Sequence, residues 1–389
     1  MTIPGLVLAD HELQVPLDHA DPAGEQITLF AREIAEPEGR EKPYIVYLQG
    51  GPGHEAPRPT GNPRAPGYLD RLLADFRVLA LDQRGTGRST PVTGREPADY
   101  LVHFRADSIV RDAELLRQAL GSPPWSVLGQ SYGGLCILTY LSLAPEGLRE
   151  ALITGGVPGL GVPVDDVYRA TWERTLERNR RYYARYPEDR ARVRRLSAEL
   201  EPGRFNRVRA LGNLLGMSDG AEKLHYIVEL PPDSPAFQHD TEDPLEVVRN
   251  PIYALLHEAC WADGEATKWS AQRMQPDVFG EQPELFTAEH ILPWLFDEYA
   301  ALDREVAEAL AAHEWPRLYD PDVLATNTVP AAATIYTEDL YVERRFAEAT
   351  AAAVPNLRAW VTSEYDHNGL RVDGERIISR LLDLVRGRA

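Results

Sequence analysis

The pentapeptide Gly129-Gln130-Ser131-Tyr132-Gly133 separates two apolar runs of different character. The run before it, Trp125-Ser126-Val127-Leu128, reads as a short buried strand. The run after it, Leu135-Cys136-Ile137-Leu138-Thr139-Tyr140-Leu141, reads as a helix. The serine between them must occupy a sharp strand-to-helix turn. Glycines flank such a turn because a Cβ there collides with the neighbouring strand or helix. This G-x-S-x-G pattern holds a hydroxyl exposed above the end of a strand, the setting of a nucleophile. It also demands a strand, a returning helix and a sheet to carry both.

The flanking sequence supplies that sheet. Residues 12–15 and 27–34 are extended runs joined by the turn-rich Asp18-His19-Ala20-Asp21-Pro22-Ala23-Gly24, which predicts an opening hairpin. Tyr44-Ile45-Val46-Tyr47-Leu48 and Arg77-Val78-Leu79-Ala80-Leu81 are apolar runs of buried-strand type. Ile109, Ala113, Leu116 and Leu120 recur at helical spacing, and Ala151-Leu152-Ile153-Thr154 is a further strand. Alternating strands and helices predict a mostly parallel sheet with helices on both faces, an α/β fold. The pattern changes near residue 160. Amphipathic helical segments follow at 167–186, 205–215, 245–262 and 287–302. Strands resume with Ala331-Ala332-Ala333-Thr334-Ile335-Tyr336 and Leu357-Arg358-Ala359-Trp360-Val361, and residues 374–385 form a closing helix. The expected organisation is a core of residues 1–160 and 326–389, interrupted by a helical insertion of residues 161–325.

Composition narrows the partners. A formal net charge of −19 over 389 residues argues against nucleic acid and against anionic membrane surfaces. Two cysteines, Cys136 and Cys260, give neither a disulfide framework nor a metal cluster. The first residues lack the basic and apolar regions of a signal peptide. No apolar stretch approaches the ~20 residues that span a bilayer. The expected location is the cytoplasm.

A serine hydroxyl is a poor nucleophile at neutral pH. It needs a base, a group that orients the base, and donors for the developing oxyanion. For a strand-end serine in this kind of sheet the chain order is serine, acid, histidine. Of the ten histidines, His367 follows a late strand, in Thr362-Ser363-Glu364-Tyr365-Asp366-His367-Asn368-Gly369. His54 follows a glycine loop and is read as a loop or substrate-facing residue. The acid is expected after the preceding strand, in Thr337-Glu338-Asp339-Leu340-Tyr341. Asp339 sits further past the strand and is preferred, with Glu338 and Asp366 as alternatives. Tyr132 supplies one oxyanion amide. The second is expected from Gln49-Gly50-Gly51-Pro52-Gly53, and the Gly51 amide is favoured. No Lys-Ser/Thr follows this loop, so it is not a phosphate cradle. Asp82 and Arg84 are expected to brace the glycine loop by pairing with each other or capping backbone groups.

Three motifs converge here. Gln49-Gly50-Gly51-Pro52-Gly53, Asp82-Gln83-Arg84-Gly85-Thr86-Gly87-Arg88-Ser89 and Gly129-Gln130-Ser131-Tyr132-Gly133-Gly134 together resemble the prolyl aminopeptidase (proline iminopeptidase) family of α/β-hydrolases. Glu338-Asp339-Leu340-Tyr341-Val342, residues 363–371 and Leu255-Leu256-His257-Glu258 resemble its longer bacterial members. The family's glycine loop usually opens with His, and this chain has Gln49. The resemblance implies Ser131, Asp339 and His367 as the triad, and residues 161–325 as a helical cap over the site.

It further implies a serine exopeptidase that removes an N-terminal residue, preferentially proline, from short peptides, with no metal or organic cofactor. The implied partner is a small peptide with a free N-terminus. Its ammonium calls for a carboxylate at the closed end of the pocket. Glu258 is the candidate, because it matches the family's cap segment and stands in an otherwise apolar stretch. Gly50 and Trp261 complete the expected substrate-binding set. The alternative is a carboxylesterase or amidase with the same triad and a different pocket.

Overall fold

The computed structural model describes residues 3–389. Its main sheet has eight strands: β1 (Val7–Pro16), β2 (Gln26–Ala35), β3 (Tyr44–Leu48), β4 (Arg77–Asp82), β5 (Trp125–Gln130), β6 (Leu148–Thr154), β7 (Ala331–Tyr336) and β8 (Leu357–Thr362). Their spatial order is β1-β2-β4-β3-β5-β6-β7-β8. The β1–β2 hairpin is antiparallel, as its turn-rich connection predicts, and β2 meets β4 antiparallel. From β4 through β8 every pairing is parallel.

The central strands are apolar throughout because both their faces are covered. In β3, Tyr44, Val46 and Leu48 enter one core, while Ile45 and Tyr47 enter the other. The first face packs against α1 (Ala106–Ala119) and α2 (Tyr132–Leu143), through Ile109, Ala113, Leu116 and Leu138. The second packs against the helix Leu69–Asp75 and the closing helix Gly374–Val385, through Leu69, Leu72, Ile377 and Leu381. Ser131 follows β5, near the middle of the sheet and on the edge where the parallel strands end, so the strand-following loops gather around it.

Between β6 and β7 the structure is helical. The first element is α3 (Val164–Arg185), close to the predicted 167–186. Two other predicted helices are broken. Residues 245–262 contain only α4 (Pro251–Leu256) and a 3-10 turn, Glu258–Cys260, because Pro251 can only begin a helix. Residues 287–302 contain only Trp294–Glu298, which starts after Pro293. No helix among the described residues is long and apolar enough to cross a membrane.

The helical stretch is tied to the sheet by Arg105, at the N-cap of α1. Its guanidinium is buried and donates to the carbonyls of Ala259, Ala262 and Pro316, and it lies 4.8 Å from the Trp315 ring centroid. Burial pushes its pKa below the ordinary arginine value. Arg84 is buried too, but it holds a carboxylate. It grips Asp112 with two bonds of 2.7 and 2.6 Å and reaches the carbonyls of Pro16, Leu17 and His103. The expected Asp82–Arg84 pair is therefore not formed. Asp82 pairs with Arg58 and accepts from the amides of Ala56 and Arg88. Both residues do brace the loop after β4, each through its own partners.

Candidate active site

The turn after β5 has the strained geometry that its sequence demands. Ser131 has φ 54° and ψ −122°, a conformation that side-chain-bearing residues rarely adopt. The turn is held from both sides: the Ser131 amide donates to the Thr154 carbonyl at 3.0 Å, and its carbonyl accepts from Gly134 at 2.7 Å. Gly133 has no alternative residue here. A Cβ on it would stand 2.0 Å from the Leu48 carbonyl oxygen of β3. Tyr132 begins α2, where backbone amides have no partner within the helix and the helix dipole favours an anion. Gly51, at φ 124°, lines the same chamber as Ser131 and Tyr132. Gly50 lies beside Ser131 along an adjoining cleft.

Two loops after the last strands meet at the serine. His367 follows β8, and its Nδ1 lies 2.8 Å from Asp339 Oδ2 in the loop after β7. The other oxygen, Asp339 Oδ1, accepts from the amides of Tyr341 at 2.9 Å and Val342 at 3.1 Å, which fixes the carboxylate. Both side chains are buried. Glu338 is turned away and pairs with Arg181, and Asp366 pairs with Arg178. Of the three acids open in the sequence, Asp339 is the one bonded to His367. Burial disfavours the imidazolium of His367, but the adjacent Asp339 carboxylate outweighs it and raises the pKa above the ordinary histidine value. His367 also packs edge-on to Tyr341, and it lines one cleft with Ser131.

Ser131 stands between two spaces. A narrow chamber is walled by Gly51, Leu135, His257, Trp261, Glu289 and Tyr341. A cleft of about 920 Å³ carries His54, Asn213, Lys223, His367 and Arg371 on its walls. Trp261 stands on the chamber wall.

Glu258 does not. Its carboxylate accepts from the amides of Ala271 at 2.8 Å and Ser270 at 3.3 Å, at the start of the short helix Ser270–Arg273. It borders a separate cavity with Thr267, Trp269, Phe296 and Trp315. The reason is helical geometry. Successive residues where α4 passes into the 3-10 turn point about 100–120° apart, so His257 faces the chamber and Glu258 faces away from it. Burial raises the Glu258 pKa, with the amide bonds opposing.

The carboxylate that does face Ser131 is Glu289, which lines both chamber and cleft. Tyr253 donates its hydroxyl to Glu289 Oε2 at 2.9 Å, and His257 Nε2 lies 3.6 Å from Oε1. The Tyr168 hydroxyl in turn meets His257 Nδ1 at 3.2 Å. The sequence carried a signal for it. Leu285-Phe286-Thr287-Ala288-Glu289-His290-Ile291-Leu292 holds one carboxylate in a mostly apolar stretch, as the segment around Glu258 does.

Residues 43–199 match the family described as alpha/beta hydrolase fold. The chain is 44% identical to a proline iminopeptidase of Aeromonas sobria, over 98% of this chain and 97% of that one. It is 31% identical to a proline iminopeptidase of Aspergillus aculeatus, over 98% and 94% of the two chains. The crystal structure of a Mycobacterium smegmatis proline iminopeptidase superimposes with a TM-score of 0.51 at 16% identity, covering 97% of this chain and 98% of that one, which shows the shared fold. With two such relatives matched over almost their whole length, the chain belongs to the proline iminopeptidase family of α/β-hydrolases.

Proposed function

We propose that the protein is a serine exopeptidase that releases an N-terminal residue, preferentially proline, from short peptides. The observation that carries this reading is Glu289, a carboxylate set in a narrow chamber next to the serine. A substrate ammonium held there puts the first carbonyl of the peptide over Ser131 and leaves no room for a longer N-terminus. Residues 161–325 act as the cap that builds this chamber, since His257, Trp261 and Glu289 all come from it, and residues 1–160 and 326–389 act as the catalytic core.

His367 takes the Ser131 proton as the hydroxyl attacks the first carbonyl. Asp339 holds the imidazole tautomer and stabilises the imidazolium. The amides of Gly51 and Tyr132 bind the oxyanion, each worth up to ~3–4 kcal/mol in comparable sites. His367 then passes its proton to the departing amine, which leaves along the cleft. Water resolves the acyl-enzyme with His367 again as base. Trp261 and Tyr341 give the proline ring an apolar wall, and Gly50 lets the substrate backbone lie close to the serine.

The test is kcat/KM for proline-β-naphthylamide beside its N-acetylated form. Cleavage of the free amine with the acetylated form inert is the expected result. Equal cleavage of both, or turnover of short acyl esters alone, would replace the exopeptidase by a general esterase or amidase.

A further inference from the structure

The chamber accounts for the residue that is released, and the rest of the peptide must run into the cleft. Charged side chains on the cleft wall are mostly matched. Lys223 Nζ closes on Asp219 at 2.6 Å, and His54 Nε2 lies 3.8 Å from Glu246. Arg371 is different. It is exposed on the cleft wall, and its side chain donates from Nη2 to the thioether of Met217 at 3.1 Å. Among the described residues no carboxylate oxygen lies within 4.0 Å of its guanidinium. A thioether is a weak acceptor, so most of the five guanidinium donors are left for another group.

Position supports a substrate role. Arg371 lies on the one-turn helix Gly369–Val372, four residues after His367. It shares one stretch of cleft wall with His367, Asn368 and Leu370. It therefore enters the cleft on the histidine side, where the departing amine receives its proton. A guanidinium fork matches a carboxylate in two parallel bonds. A short leaving peptide carries such a carboxylate at its C-terminus, within a few ångströms of the scissile bond.

We propose that Arg371 binds the carboxylate of the departing peptide, which makes the enzyme selective for short peptides with a free C-terminus. This inference rests on the exopeptidase reading above. Arg371 is a specificity-determining residue here and takes no part in proton transfer.

The experiment compares kcat/KM for Pro-Ala, Pro-Ala-amide and Pro-Glu-α-amide, with proline-β-naphthylamide alongside, in the unaltered enzyme and in Arg371→Leu and Arg371→Lys. Pro-Ala should exceed Pro-Ala-amide by roughly tenfold, the scale of one charge-assisted pair, with the difference in KM. Arg371→Leu should bring that ratio close to one, and Arg371→Lys should restore part of it. A rate for Pro-Glu-α-amide near that of Pro-Ala assigns the contact to a side-chain carboxylate as well as a terminal one. Equal rates for acid and amide in the unaltered enzyme would overturn the proposal. So would Arg371→Leu slowing all substrates by one common factor, which would make the residue a support for its loop. Failure to cleave the naphthylamide at all would instead sink the exopeptidase reading beneath it.

Discussion

The turn at Ser131 and the corner at Glu289 lie on one chamber but hold their functional groups in opposite ways. Ser131 is fixed by backbone alone. Its positive φ, the bonds to Thr154 and Gly134, and the Gly133 contact with β3 leave it one position. Glu289 is fixed by side chains, Tyr253 directly and His257 with Tyr168 behind it. The first arrangement cannot drift without breaking the sheet. The second can be retuned one residue at a time. In the proposed mechanism, chemistry falls to the rigid half of the molecule and substrate choice to the adjustable half.

The largest effect expected is at the rigid end. Ser131→Ala should lower kcat by a factor on the order of 10⁴–10⁶ and abolish labelling by a fluorophosphonate, with the melting temperature preserved. Residual labelling would point to a different nucleophile. Glu289→Gln keeps the shape of the corner but removes its charge. A partly buried carboxylate that loses water when an ammonium docks on it is worth about 2–4 kcal/mol, so kcat/KM for proline-β-naphthylamide should fall by roughly 30- to 1000-fold. An unchanged value would end the contrast, leaving the ammonium to be bound elsewhere.

Next in size is the pH dependence. His367 must be neutral to act as base, and its pKa is raised by Asp339 against the effect of burial. The kcat/KM profile should therefore fall on the acid side, tenfold per pH unit, with its limb above the ~6.5 of a free imidazole. A limb below that value would mean that Asp339 does not govern the histidine. The smallest effect belongs to Glu258→Gln. With its carboxylate turned to the amides of Ser270 and Ala271, the change should alter kcat/KM by less than about twofold and appear only as a modest shift in melting temperature. A loss as large as that of Glu289→Gln would return Glu258 to the substrate site.

The same contrast explains what could be read from the sequence. Strand runs such as Tyr44-Ile45-Val46-Tyr47-Leu48 are buried on both faces, and that burial is written locally as uninterrupted apolar residues. The loops carrying Asp339 and His367 follow from strand order, and the resemblance favoured the acid that the structure joins to the histidine. The helical stretch gives no such guide. Pro251 and Pro293 cut two apparently amphipathic helices into short pieces, so helical periodicity no longer tells which face a residue presents. Glu258 and Glu289 look alike in sequence, each a single carboxylate beside a histidine in a mostly apolar stretch. Their difference lies in which cavity each one borders, a tertiary property. Arg84 caps backbone carbonyls, as one of the two sequence expectations had it, but its carboxylate partner is Asp112, 28 positions away on α1, and not Asp82.

Arg105 has a bearing on how the molecule comes apart. Its charge has given up water for three carbonyls, all of them in the helical stretch, while the residue itself belongs to the sheet half. Unfolding either half alone would give up these three bonds and the Trp315 contact together, so each half loses stability when the other opens. The contact therefore favours melting of the two halves as one cooperative unit. Calorimetry should show a single heat-absorption peak rather than a roof that melts ahead of the floor.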